Sequence, residues 1–149
     1  PTNRARKGTE AFLAAVDKLR GDVDVELVLI EGQPWQRCLE LKGTCDIYFD
    51  QVTFGYGNNA IECWGMGIPV IAGGQPDTLN EMSRRFGSLP FAYADEGSIY
   101  AALLELAVDA DARCRWAARG ADHVAQWHDE KHVVEQLKQI YERAVGGNE

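Results

Sequence analysis

The chain has 149 residues, a hydrophobic content of 46% and a formal net charge of −8. This length suits one domain with an adequate core, and the acidic charge disfavours a nucleic-acid backbone as a partner. No apolar run approaches the roughly 20 residues that a membrane-spanning helix needs.

Apolar periodicity predicts helices that alternate with short strands along the chain. The first half is predicted to contain helix 8–19, strand 23–30, helix 34–41, strand 46–49, helix 58–66 and strand 68–72. The second half is predicted to contain helix 77–86, strand 90–93, helix 99–108, helix 109–127 and helix 129–145. This alternation predicts an α/β fold, a Rossmann-like open parallel sheet with helices on both faces.

The start of the chain is typical of a loop that follows a strand. The first predicted helix begins almost at residue 8, and the residues before it read PTNRARKG. A doubly wound sheet normally has a strand before such a loop. We therefore expect residues 1–149 to be a single domain and a fragment of a longer protein.

The cysteines and histidines do not form a recognisable reactive or metal-binding motif. Cys38, Cys45, Cys63 and Cys114 show no CxxC spacing, which favours free buried thiols in a reducing, cytoplasmic compartment and no zinc site. The three histidines of the C-terminal helices (His123, His128, His132) lie beside acidic residues, and we expect them on exposed polar faces. No metal and no cofactor is expected.

The segment between the second and third predicted strands carries the functional signal. Gly55, Gly57 and Ala60 spell G-x-G-x-x-A, formally the fingerprint of a dinucleotide-binding turn. The fingerprint requires an acidic residue at the end of the next strand, and IPVIAGG ends in small neutral residues. The sequence thus argues against an NAD or FAD site.

A helix N-terminus at Gly57, Asn58 and Asn59 remains suited to an anion, because its unpaired N–H groups and its dipole stabilise negative charge. The two asparagines could equally serve only as N-caps. Glu62 in the same helix is either a solvent-facing carboxylate or an acceptor for ligand hydroxyls. The basic cluster near the start, which includes Lys7, is either a solvated end or the partner of one small anion.

Three stretches taken in order resemble the C-terminal, donor-binding domain of GT-B glycosyltransferases, with family 4 the closest in appearance. They are P-T-N-R-x-R-K-G-T, D-I-Y-F-D-Q and G-Y-G-N-N-A-I-E-C-W-G-M-G-I-P-V-I-A. The later segment LPFAYADEGSIYAALLELAVDADARCRWAARGADHVAQWH fits too, so the resemblance covers nearly the whole chain. It implies transfer of a sugar, typically a hexose, from a nucleotide-diphosphate sugar to an acceptor hydroxyl.

The resemblance also implies a role for each donor-binding residue. Lys7, with Arg4 or Arg6, would neutralise the diphosphate, Gly57 and the amides of the two following asparagines would complete the cradle, and Glu62 would bind the ribose hydroxyls. The residues implied at the donor site are Arg4, Lys7, Gln51, Gly57, Asn58, Asn59 and Glu62.

The chain departs from the family pattern at the sugar contact. Many members carry a glutamate eight positions before the one at Glu62, and here that position is Phe54. Asp50, Gln51 and Tyr56 would then belong to a variant loop, with Gln51 a substitute contact. The family also requires an N-terminal acceptor domain, so the isolated piece is expected to be inactive and the protein cytoplasmic, with membrane contact only through that missing domain.

Two other interpretations stay open. A nucleotide-sugar epimerase of the same architecture would use the same diphosphate cradle. A degenerate GT-B-like domain kept as a non-catalytic nucleotide-binding or interaction module is favoured by Phe54. The acceptor could be a glycan, a lipid or a small molecule.

Overall fold

The computed structural model describes residues 3–146. The helices are α1 Arg4–Lys7, α2 Thr9–Leu19, α3 Trp35–Lys42, α4 Asn58–Gly65, α5 Pro76–Phe86, α6 Ile99–Val108, α7 Ala110–Trp127 and α8 Glu130–Gly146. The strands are β1 Tyr48–Phe49, β2 Phe54–Gly55, β3 Val70–Gly74 and β4 Ala92–Tyr93. The described part is thus a mixed α/β structure, as the alternating pattern predicted.

Strand β3 is the centre of an open and mostly parallel sheet. It pairs in parallel with β1, where Tyr48 lies opposite Val70, and with β4, where Ile71 lies opposite Ala92. The prediction of an open parallel sheet is therefore confirmed at this level. The short strand β2 was not predicted, and it pairs antiparallel with the end of β3.

Alternate residues of β3 feed two separate clusters, because successive side chains of a strand point to opposite faces of a sheet. Ile71 packs with the buried faces of α2 and α6, including Val16 and Leu106. Val70 and Ala72 pack with a second cluster built around Trp64 of α4 and Phe91. Helices therefore cover both faces of the sheet.

The predicted strand 23–30 is wrong. The structure assigns no strand to this segment, although Val23, Val25 and Leu27 pack partly against the first cluster. From residue 24 to residue 33 no backbone group forms a hydrogen bond with another backbone group in the described part of the chain. A strand exists only through a ladder with a neighbour, so alternation without an adjacent strand leaves a segment with no regular secondary structure.

The apolar residues of the last helix remain at the surface of the described part of the chain. Helix α8 has no buried residue, and its large apolar side chains are exposed. These side chains are Val133, Val134, Leu137, Ile140, Tyr141 and Val145. Within residues 3–146, no helix combines the length and the apolar character that crossing a membrane would require.

Candidate anion-binding site

Helix α4 begins beside a buried carboxylate that occupies one of its free amides. Gly57 is the N-cap, and its N–H donates to Oδ2 of Asp50 at 2.7 Å. The N–H groups of Asn58 and Asn59 have no acceptor among residues 3–146, and Asn58 is exposed. The first turn of α4 therefore keeps two amide donors for an anion, because these groups precede the first bond within the helix.

Lys7 reaches the same carboxylate from the start of the chain. Its Nζ lies 3.6 Å from Oδ1 of Asp50, whose side chain is 1% exposed. Lys7 is the last residue of α1, and Gly8 follows it with a φ of +73°, a left-handed conformation that favours glycine. The structure thus brings Lys7 and Gly57 together around Asp50, the residue that follows β1.

Glu62 is held by a second cation. Lys42 of α3 donates to Oε2 of Glu62 and, at 2.7 Å, to Oδ1 of Asn59. The indole Nε1–H of Trp35 donates to Oε1 of Glu62 at 3.0 Å. Partial burial acts to raise the pKa of the Glu62 carboxyl, but the hydrogen bonds from Lys42 and Trp35 outweigh it and lower that pKa.

Lys42 was missed by the sequence reasoning, and so was the contact with Trp35. A lysine directly after a short predicted helix is normally expected to be solvated, but the ammonium of Lys42 lies against Glu62 and Asn59 of α4 and faces the ring of Tyr48. The Lys42 side chain is 3% exposed. A lysine is almost never fully buried unless it is paired, so the ion pair with Glu62 explains its position.

Lys42→Met should lower the free energy of unfolding by about 2–3 kcal/mol, because Glu62 loses its charge partner while it stays largely buried. Urea denaturation at pH 7 measures this loss. Lys131→Met, at an exposed position of α8, is the matched control and should change stability by less than about 0.5 kcal/mol. Equal losses of stability in the two variants would contradict the assignment of Lys42 and Glu62 as a buried ion pair.

The remaining cations near the start of the chain are engaged elsewhere. Arg4 donates from Nε and Nη2 to the carboxylate of Glu31, at 2.9 and 2.7 Å, and this bond lowers the pKa of Glu31 to about 2. The Arg6 guanidinium lies over the Phe54 ring, 4.8 Å from its centroid. Lys7 is therefore the member of the cluster that the structure brings to α4, and Arg4 is not placed there.

Gln51, the suggested substitute for the missing glutamate, lies buried between β1 and β2. Its backbone C=O accepts from the N–H of Gly73 at 2.8 Å, which ties it to the end of β3. Phe54 of β2 is 48% exposed. Gln51 follows Asp50 in the chain, and it therefore lies at the same edge of the sheet as Gly57, which contacts Asp50.

A cavity of about 590 Å³ runs beside β1. Its lining includes Lys7, Lys42, Asp50 and Asn59 together with apolar residues of α2 and of residues 23–30. The carboxyl ends of parallel strands are where open α/β sheets bind ligands. The two lysines and the free end of α4 therefore lie at the edge where such a ligand is expected.

Two of the three histidines, His123 and His128, correct the expectation of exposed polar faces, which is confirmed for His132. His123 of α7 is buried, and its Nε2 lies 2.8 Å from the Tyr56 hydroxyl, which is also 3.0 Å from Nε2 of His128. One histidine can accept the tyrosine proton while the other donates to the same oxygen. This cluster connects the loop before α4 to the end of α7. The sequence gives little indication of it, because Tyr56 lies far along the chain from both histidines.

The cluster predicts a loss of stability in weak acid. Burial, with a smaller contribution from charge on His128, lowers the pKa of His123 to about 4, and burial followed by the charge of Arg85 lowers that of His128. Between pH 6.5 and 4 the unfolded chain therefore binds more protons than the folded chain does. The free energy of unfolding consequently decreases as the pH is lowered through this range. We expect a loss on the order of 2 kcal/mol, allowing for solvent screening.

Urea midpoints at pH 7 and pH 4.5 measure this effect. His123→Gln should be less stable at pH 7 and should lose less stability between the two pH values than the unaltered chain. His132→Gln, an exposed control, should keep the full pH dependence. Parallel stability curves for the unaltered chain and His123→Gln would contradict the assignment.

Residues 3–146 contain no group of three or more His, Cys, Asp or Glu side chains arranged to hold a metal ion. Of the four free thiols, Cys63 is buried, Cys38 and Cys45 are partly buried and Cys114 is exposed, so the expectation of buried thiols is confirmed for Cys63 and fails for Cys114.

Comparisons of the chain with protein-family models, with curated proteins and with solved structures gave no match, so the site itself carries the functional argument.

Proposed function

We propose that this chain is the donor-binding domain of a glycosyltransferase and holds the diphosphate of a nucleotide-sugar at the start of α4. The observation that carries the proposal is the convergence of Lys7 and the α4 N-terminus on one point, marked by the Asp50 carboxylate. A carboxylate is stable at this point because the ammonium of Lys7 and the helix dipole of α4 create a potential that favours negative charge. The amides of Asn58 and Asn59 lie beside it and have no acceptor within residues 3–146.

The proposed chemistry needs positive potential more than it needs a metal. When the bond between the sugar's anomeric carbon and the diphosphate breaks, negative charge develops on the leaving phosphate oxygen. The acceptor oxygen bonds to that carbon, and its proton passes to the leaving phosphate oxygen or to water. An ammonium and backbone amides fixed around the phosphates stabilise this charge without reorganisation during the reaction.

Glu62 would accept from the ribose hydroxyls, as the family resemblance implies, and Gln51 would contact the sugar. The lowered pKa of Glu62 supports the first role, because an ionised carboxylate accepts from two vicinal hydroxyls. Lys42 orients that carboxylate and leaves part of it accessible. The finer fold proposed with this function is one Rossmann-like half of a GT-B protein, whose other half would supply the acceptor site.

A second candidate function, a non-catalytic interaction module, is favoured by one observation. The charges of the site are paired with each other: Lys7 with Asp50, and Lys42 with Glu62. In a degenerate domain such pairs would simply stabilise the structure. Nucleotide binding separates the two functions, because the donor-binding proposal requires it and the interaction module does not.

Saturation-transfer NMR with a panel of nucleoside diphosphates tests the proposal directly on this chain. We expect binding in the millimolar range or tighter, about −4 kcal/mol, for at least one diphosphate and for inorganic pyrophosphate. The matching nucleosides, which lack phosphate, are the control and should bind more weakly. Absence of signal for every diphosphate would support the interaction module.

A further inference from the structure

Trp35, the first residue of α3, exposes its ring while its polar edge is occupied. The residue is 68% exposed. Its indole N–H donates to Oε1 of Glu62 at 3.0 Å. Because this N–H is the single hydrogen-bonding group of an indole, the surface that remains in solvent is apolar and aromatic. The ring is thus held by one edge, with aromatic surface available to a ligand.

The ring of Trp35 lacks the kind of partner that the other tryptophans have. Each of those packs against another aromatic ring or a cation. The pairs are Trp64 with Tyr56, Trp116 with Arg119, and Trp127 with Phe86. Among residues 3–146, no aromatic ring and no Lys or Arg cation lies against the ring of Trp35. Its exposed aromatic surface is therefore not used within the described part of the chain.

Helix α3 is attached to Glu62 at both of its ends, and this attachment fixes the indole. Trp35 and Lys42 are the first and last residues of α3, seven positions apart, so they share one face of the helix. Lys42 donates to Oε2 of Glu62, and Trp35 donates to Oε1 of the same carboxylate. A ligand that stacked on this ring would need little further ordering of the side chain, which favours binding.

Glu62 keeps the capacity to accept from a ligand beside the indole. An ionised carboxylate has about four acceptor sites, and Lys42 and Trp35 each use one of them. The Glu62 side chain is 24% exposed. Ribose hydroxyls that donated to this carboxylate would therefore lie next to the indole, since the indole N–H is bonded to the same group.

The groups along α4 follow the order of the parts of a nucleoside diphosphate. Asn58 and Glu62 are four positions apart, so they share a face of α4 and are separated by about 6 Å along its axis. Phosphates at the first position would place the ribose at the second. A nucleotide base is attached to the ribose on the side away from the phosphates, and on that side the chain presents Trp35.

We propose that Trp35 is the platform on which the base of a nucleoside diphosphate stacks, a role that rests on the proposed function of the α4 site. Every base has a π-face, so stacking on an aromatic side chain is tolerant of the identity of the base. Trp35 therefore selects a class of ligand. It favours a nucleoside diphosphate over a diphosphate without a base, and it accepts purines and pyrimidines alike.

NMR titration of the chain with a nucleoside diphosphate and with inorganic pyrophosphate, followed at the amides of Gly57 and Asn58, tests the proposal. Trp35→Leu replaces the ring by an apolar side chain that cannot stack. We expect it to lower the affinity for the nucleoside diphosphate by at least about fivefold and to change the affinity for pyrophosphate by less than about twofold. The high exposure of Trp35 means that the variant should fold normally.

Trp35→Phe is the matched control, because it keeps an aromatic face and loses the N–H that bonds to Glu62. We expect its affinity for the nucleoside diphosphate to stay within about threefold of that of the unaltered chain. Equal losses for Trp35→Phe and Trp35→Leu, equal losses for both ligands, or no loss in Trp35→Leu would overturn the stacking role while the diphosphate site stands. Absence of binding of either ligand to the unaltered chain would overturn the proposed function, and the stacking role with it.

Discussion

Gly120→Ala should lower the free energy of unfolding by about 2–3 kcal/mol, because the added methyl group would overlap a buried side chain. A Cβ at Gly120 would lie 2.0 Å from Cδ1 of Trp64 and 2.5 Å from its Cγ. Trp64 is fully buried and packs edge-on against Tyr56, with ring centroids 4.9 Å apart. The indole therefore has no space into which it could move to accommodate the methyl group.

Gly65→Ala is the matched control for that substitution. Gly65 lies in helix α4, and a Cβ there meets nothing within 4 Å. Alanine should therefore raise stability by up to about 1 kcal/mol through helix propensity. Alanine at Gly120 gains the same helix propensity, and the loss of about 2–3 kcal/mol given above is the net value after that gain. Thermal unfolding should show a decrease of about 6–12 °C for Gly120→Ala, and a decrease as large for Gly65→Ala would contradict the close approach of α7 to α4.

Lys7→Ala should weaken the binding of nucleoside diphosphates by at least about tenfold, because a charged contact to the phosphates is lost. The side chain is about three-quarters buried and already lies beside Asp50, so little ordering is needed for it to meet a phosphate. In the altered chain the Asp50 carboxylate would also repel the ligand without compensation. Equilibrium titration of the same diphosphates measures the loss.

Arg6→Ala is the control for Lys7→Ala, since it removes a nearby cation that packs over Phe54 rather than at α4. We expect less than about a threefold change in affinity for Arg6→Ala. Circular dichroism of both variants shows whether they remain folded, because Lys7→Ala removes the cation beside the buried Asp50 carboxylate. Equal weakening in the two variants would indicate diffuse attraction rather than a defined contact.

The sequence predicted the helices well because their signals are local. Helix α6 begins and ends where its apolar run begins and ends, at Ile99 and Val108, and α4 stops one residue before its predicted end. Strand β3 was recognised from its buried, continuous apolar character, although the structure shifts it by two residues toward Gly74. Periodicity and glycine positions carry this information within a few residues of each element.

The failures concern features that depend on distant partners. Whether 23–30 forms a strand depends on a neighbouring strand, and alternation alone does not supply one. The burial of His123 depends on Tyr56, 67 positions earlier, and that of Lys42 depends on Glu62, 20 positions later. Asp50 was noted only as part of a variant loop, because nothing nearby in the sequence indicates that it accepts the Gly57 amide.

The central claim is that a diphosphate binds at the start of α4, and residue-resolved NMR tests it most directly. The amide signals of Asn58, Asn59 and Gly57 would be followed while the chain is titrated with a nucleoside diphosphate. The account predicts saturable shifts at these three amides, larger than those at Ala110 and Asp111 in the first turn of α7, and their loss in Lys7→Ala. Shifts confined to other parts of the chain, or equal at the two helix starts, would contradict it.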